Sequence, residues 1–414
     1  MTSLTSRAKF AAVDVYRAMV KEIPQNFLNK PCVIPFYGSG ALPAVLDSRR
    51  MFNNIESNKD NLFIYESNEV YNKYAQGVYT LTFKKALKAV YGYREQVNMQ
   101  AFDPKFSIRN LPYQEPGQGR ANLYPTLLEN LKQHDYKWTA DILPTAWLRG
   151  EGAELKKVRK MFLEEMGLYK ITVLPFNAFS EFGANLETAI YYCKKGYNGP
   201  IEVNYYGNNE SYEYNYRSEE HIIVPPTKEE AEAIYNFVKN YNHYEFTQVN
   251  GKAFSKIKNE LSYKKNKDCY PVITILKKKI EDCEIKYTNY LFDEDRDKHR
   301  VVTSYLAAGW GKGDKHYGNI VYVPPGYQLS STYKYVVCDT KEKALAVERY
   351  LKSKLIHYLA HYWRTSRTAD GPQWKCVPVL DRNDLTTDDE IIEHFVKDKD
   401  IQERIKNDPL HKKS

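Results

Sequence analysis

Asn110, Leu111, Pro112 and Tyr113 close the apolar run FSIRN and open a glycine-studded polar loop, QEPGQGRAN. Proline fixes its own backbone angle and removes a donor, so such a stretch presents acceptors in a set direction. The Asn110 side-chain oxygen and the Leu111 backbone carbonyl could accept two hydrogen bonds from one exocyclic amino group. Tyr113 offers a ring face for a flat heterocycle. Two acceptors on one amino nitrogen draw its lone pair out of conjugation and towards an electrophile, which is what methylation of a ring amine such as adenine N6 demands. A general base is not required, because the amine sheds its proton after attack. An ordinary strand end followed by a turn would accommodate the same four residues.

Two other features bear on the same chemistry. In VIPFYGSGALPAVL a strand-like run meets Gly38-Ser39-Gly40 and then a helical pattern, so the backbone could pass close to a nucleotide-like ligand. The run NLFIYES ends on Glu66, 26 residues after Gly40, where an acid at the tip of a second strand can accept from ribose hydroxyls. Together they fit either a bound adenosine-type cofactor or a plain α/β domain.

The elements that must position these residues follow from periodicity. A helix is expected from Ala8 to Ile23, and strands in PCVIPFYG, NLFIYES, FSIRNLP, WTADILPTAW, YKITVLPF and ETAIYYCKK, with helical stretches such as GAELKKVRKMFLEEM between them. Alternation of this kind predicts an α/β sheet, mostly parallel, with helices on both faces and ligands beyond the carboxyl ends of its strands. From Tyr197 the texture becomes turn-rich, which predicts a domain boundary near residue 198. TKEEAEAIYNFVKNY reads as a helix opened by a threonine cap, and Lys341 to Trp363 as one long amphipathic helix.

Composition bounds the rest. The 414 residues carry 60 basic and 52 acidic side chains, a net charge of +8 that suits a polyanionic partner without requiring one. The 36 tyrosines fit wet interfaces, although an AT-rich genome would give the same bias. Six scattered cysteines form no CxxC pair, which argues against a zinc site or a disulfide framework and for a reducing, cytoplasmic setting. No apolar run is long enough to cross a bilayer. GWGKGDKHYG lacks the Gly-Lys-Ser/Thr of a phosphate loop and reads as a mobile basic loop whose Lys312 and Lys315 could meet DNA phosphates. RTSRTADGPQWK sets Arg364 and Arg367 in a turn where they could contact backbone or bases, or simply face solvent. His357 and His361 lack a third ligand, so no metal site is expected.

Taken in order, PFYGSG, IRNLPYQEPGQGRANLYPTLLENL, DILPTAWLRGEGAELKKVRKMFLEE and FSEFGANLETAIYYCKKGYNGPIEV resemble the S-adenosylmethionine-dependent adenine-N6 DNA methyltransferases, in particular the Eco57I-type restriction-modification methylases. The resemblance covers most of residues 30–203. It implies a Rossmann-like class I methyltransferase domain with a mixed seven-stranded sheet over 1–198, and a C-terminal α+β target-recognition domain over 199–414. It also implies that Phe36, Gly38, Gly40, Glu66 and Asp103 hold S-adenosylmethionine, and that Asn110 to Tyr113 form the catalytic tetrapeptide. Phe182, with Phe179 as runner-up, would stack on the extruded adenine opposite Tyr113. The family has two prolines in its tetrapeptide where this chain has Leu111 and Pro112. Leucine keeps the carbonyl acceptor and gives up some rigidity.

Extruding a base costs a few kcal/mol, and stacking returns about 1–3 kcal/mol per base. Gly117 and Gly119 would be hinges of a loop closing over it. The expected partner is double-stranded DNA, bound by a monomer. The short stretch ahead of the glycine turn leads us to expect any cognate restriction endonuclease to be a separate protein. Two alternatives stay open: an RNA adenine-N6 methyltransferase, since Asn-Leu-Pro-Tyr also resembles the ribosomal RNA dimethylases, and a catalytically inactive nucleic-acid-binding relative.

Overall fold

Six of the apolar runs fold into strands of one sheet: β1 (Cys32–Pro35), β2 (Leu62–Tyr65), β3 (Phe106–Asn110), β4 (Trp138–Pro144), β5 (Leu168–Val173) and β6 (Thr188–Lys194). The computed structural model describes residues 13–35, 41–53, 62–65, 105–111, 124–131, 135–175, 178–179, 187–304, 318–363 and 376–407. Two units divide the chain, Met1–Pro226 and Thr227–Ser414.

In the first unit β7 (Ile201–Tyr205) and β8 (Ser211–Tyr214) complete an eight-stranded sheet in the order β2-β1-β3-β4-β6-β5-β7-β8. The strands from β2 to β4 run parallel, whereas β6 is antiparallel to both β4 and β5. Parallel strands need both faces covered, and every residue of β4 is buried accordingly. On one face Phe106, Ile108, Ala140, Ile142 and Tyr192 pack with Val15 and Met19 of a helix over 13–21 and with Leu42 and Leu46 of the helix Ala41–Phe52. On the other, Tyr191 meets Trp147 at 4.8 Å and Phe162 at 5.5 Å between ring centroids. Phe162 lies in a π-turn over Met161–Met166, which Gly167 ends at φ 73°. A Cβ there would strike the Lys194 carbonyl oxygen, so this turn into β5 requires glycine.

Two expectations change. Among the described residues the sheet has eight strands rather than seven, and residue 198 falls inside the first unit, because β7 pairs in parallel with β5 and β8 pairs with β7. Short alternating strands after a Tyr-Asn-Gly turn look alike in sequence whether they begin a new domain or extend the old sheet.

The second unit is α+β. A four-stranded antiparallel sheet, β13 (Ile320–Val323), β12 (His299–Ser304), β15 (Tyr333–Cys338) and β9 (Thr247–Gln248), shares a core with a three-stranded sheet of β11 (Glu284–Thr288), β10 (Tyr270–Ile275) and β14 (Gln328–Leu329). Buried Asp293 accepts from Arg300 Nη1 at 2.6 Å and from the Leu329 backbone at 2.9 Å, tying β12 to β14. Thr227 caps the helix Lys228–Asn240 by accepting from the Glu230 backbone N–H, as its sequence predicts. The single helix expected from Lys341 to Trp363 is instead two, Lys341–Leu351 and Lys354–Trp363. Buried Ser353 separates them, its hydroxyl accepting from the Ile356 N–H as an N-terminal cap does. Among the described residues no helix is long and apolar enough to cross a membrane.

Candidate functional site

Strand order places the site. In the order β2-β1-β3-β4 the chain passes from β1 to β2 in one direction and from β3 to β4 in the other, so a topological switch point, the place where open α/β sheets bind ligands, lies between the carboxyl ends of β1 and β3. β1 ends at Pro35, directly before Phe36, and the helix Ala41–Phe52 starts directly after Gly40. β2 ends at Tyr65, directly before Glu66. β3 ends at Asn110 itself. The described flanks thus bring the carboxyl ends of β1, β2 and β3, Asn110 among them, to one edge of one sheet.

Asn110 is half-buried and pairs in register with Ile142 of β4. Its Nδ2 donates to the Tyr16 hydroxyl at 3.0 Å, across 94 residues of sequence. No described residue donates to its Oδ1. Burial raises the Tyr16 phenol above its ordinary value of 10.0, with the Asn110 hydrogen bond pulling the other way, so the hydroxyl is protonated at neutral pH. Leu111 is only 1% exposed, which makes its side chain a packing element. Tyr16 was not singled out from sequence, because nothing in an amphipathic helix marks its one tyrosine as reaching a distant strand end.

Beneath Asn110, on the opposite face of the strand, Arg109 and Asp141 form a fully buried ion pair, 1% and 0% exposed. Arg109 Nη2 donates to Asp141 Oδ2 at 2.6 Å and Nε donates to Oδ1, a two-pronged contact between residues directly opposed in register. Thr139 adds a donor at 3.4 Å, and the guanidinium lies 5.7 Å from the centre of the Tyr136 ring. The pair bolts β3 to β4 one residue before the tetrapeptide.

Among the described residues Glu151, Glu220 and His221 converge with metal-ligand types. The Glu151 carboxylate is already engaged, by a hydrogen bond with His221 Nε2 at 2.9 Å and an ion pair with Lys156 Nζ at 2.8 Å, so the cluster is a polar network pinning the segment after β8. Burial, then Arg159, hold the His221 imidazole below its ordinary 6.5 despite Glu220 and Glu151. The unfolded chain therefore takes up a proton that the folded chain resists in the window below 6.5. Stability present above that pH is lost as pH falls through the folded value. Urea midpoints measured downward from about pH 7 should fall more steeply for the wild type than for His221→Gln, and parallel curves would refute the assignment.

Phe179, the alternative stacking residue, is 5% exposed and packed in the first unit's core beside Leu174 and Ala178, so it serves the fold. Phe36, Gly38, Gly40, Glu66, Asp103, Pro112, Tyr113, Phe182, Lys312, Lys315, Arg364 and Arg367 lie outside the described residues, as do Gly117 and Gly119.

No protein-family model and no curated protein matches the chain. Among solved structures it is similar to the type IIG restriction endonuclease BpuSI, with 12% identity and a TM-score of 0.42 over 98% of this chain and 61% of that one. It is similar also to the type IIL restriction-modification enzyme MmeI in complex with DNA, with 10% identity and a TM-score of 0.47 over 86% of this chain and 62% of that one. A third is the type I restriction-modification methyltransferase subunit from Streptococcus thermophilus, with 15% identity and a TM-score of 0.35 over 55% of this chain and 51% of that one. The chain thus spans between half and two thirds of the length of these three proteins. All three likenesses are low in both measures, and the chemistry has to be read from the residues.

Proposed function

We propose that the chain is an S-adenosylmethionine-dependent DNA methyltransferase acting on N6 of an adenine swung out of the duplex. The observation that carries this reading is the position of Asn110, the last residue of β3, at the sheet's switch point with its side-chain oxygen unclaimed by any described residue. Phe36, Gly38, Gly40, Glu66 and Asp103 would hold the cofactor, which when bound supplies an electrophilic methyl carbon. Asn110 Oδ1 and the Leu111 carbonyl accept from the adenine amino group and favour a tetrahedral nitrogen, which draws its lone pair out of conjugation with the ring. Tyr113 and Phe182 stack on the extruded base and exclude water from it. Leucine at position 111 is compatible with this role, since its side chain is buried and the backbone supplies the acceptor.

The second unit would select the target sequence, with Lys312, Lys315, Arg364 and Arg367 on the duplex. The protein would act as a cytoplasmic monomer.

Incubation with tritiated S-adenosylmethionine and genomic duplex DNA, followed by nucleoside chromatography, should place label in N6-methyldeoxyadenosine. Label in RNA instead would favour the RNA enzyme. Firm cofactor binding in calorimetry without label in either polymer would favour a catalytically inactive relative. Absence of cofactor binding would refute the proposal.

A further inference from the structure

An asparagine carboxamide has two nearly isosteric ends, and only one of them can accept from an amine. If Asn110 turned over, an NH2 group would face the incoming amino group, and two donors would oppose each other where a donor and an acceptor are needed. Strand geometry fixes where the carboxamide sits and says nothing about which end points outward. A hydrogen-bond partner has to hold it there. Tyr16 Oη accepts from Nδ2 at 3.0 Å; a phenol could equally donate to Oδ1, so the contact fixes the plane and place of the carboxamide, and the donors of the incoming amine choose its oxygen. The tyrosine is well placed to hold it, since Val15, Met19, Val20 and Ile23 around it belong to the core that packs on β3, and Tyr16 itself packs against that core. The same helix turns its Asp14–Arg17 ion pair, at 2.9 Å, to solvent.

We infer that Tyr16 is a positioning residue which holds the Asn110 carboxamide in place at the strand end, its hydroxyl meeting Nδ2 while Oδ1 meets the amine to be methylated. This rests on the proposed function for what the oxygen does, and on the structure for the lock. Tyr16 itself touches neither amine nor cofactor in this scheme, so its loss should be felt in turnover and not in affinity.

Tyr16→Phe keeps the ring and its packing and deletes the acceptor. The full-length variant should methylate DNA with kcat lowered roughly ten-fold, about the effect of one neutral hydrogen bond, while KM for DNA and cofactor affinity stay within about two-fold of the wild type. A second measurement does not depend on catalysis. With asparagine side chains labelled by 15N, the Asn110 NH2 signals, assigned by their loss in Asn110→Asp, should be shifted and protected from exchange in the wild type and lose both properties in Tyr16→Phe. Turnover within about two-fold of the wild type, or NH2 signals unchanged by the substitution, would overturn the inference. If the wild type methylates no polymer, the proposed function fails, and the NH2 signals still decide whether Tyr16 locks the carboxamide. If Tyr16→Phe does not fold, unprotected Asn110 NH2 signals in the wild type overturn the inference and protected, shifted ones uphold it.

Discussion

Asn110→Ala is expected to bind S-adenosylmethionine as the wild type does and to transfer methyl groups about 10²–10³-fold more slowly, the range found when one preorganised electrostatic partner of a reacting group is removed. The physical reason is specific to amines on aromatic rings. Their lone pair is delocalised and nearly unreactive, so the site must supply the energy of rehybridisation through acceptors that bind more strongly as the nitrogen becomes tetrahedral. With Asn110 truncated, the Leu111 carbonyl remains alone. Cofactor affinity is spared because in this scheme the side chain meets the Tyr16 hydroxyl and the amine and not the cofactor. Single-turnover kinetics separates the two effects, since the loss should appear in the chemical step and leave the calorimetric affinity intact. Asn110→Asp, which keeps an acceptor at the same place, should retain more activity than the alanine variant. Turnover in Asn110→Ala near that of the wild type would remove the catalytic assignment.

The strands that flank the candidate site were legible from the chain, for reasons that particular residues make plain. The run FSIRN predicts a strand because its apolar residues are flanked by a turn-rich loop, and it ends where expected, on Asn110. The glycines at 38 and 40 and the acid at 66 each follow an apolar run, and those runs became β1 and β2. What stayed hidden depends on tertiary contact. Tyr16 lies 94 residues from its partner, and its helix offers apolar side chains with the same periodicity. The extension of the sheet by β7 and β8 was hidden too, because a polar, tyrosine-rich strand at a sheet edge resembles the turn-rich strands of a separate domain. The ion pair beneath the site did leave a trace. FSIRN and WTADILP each carry one charged residue in an otherwise uncharged strand, four places from its start, and in-register parallel pairing sets the two charges side by side.

That pair underlies the second large effect. Asp141→Ala should cost about 3–5 kcal/mol of folding stability, because it strands a guanidinium that has no water to turn to. Removing an exposed pair such as Arg17–Asp14, whose side chains are 64% and 44% exposed, should cost at most about 1 kcal/mol. Against a typical total of about 5–15 kcal/mol the first loss is large, and it should appear as a lowered urea midpoint with an unchanged slope. Replacing both partners separates stability from positioning. Arg109→Met with Asp141→Leu removes the charges together and should recover most of the stability, since an apolar pair of similar volume needs no desolvation. If the ion pair also aims Asn110, the recovered double variant should still turn over more slowly than the wild type, because leucine and methionine do not fix the angle between β3 and β4 as a two-pronged contact does. A double variant as stable and as active as the wild type would show that the pair serves the strand's burial and leaves the direction of the carboxamide to Tyr16.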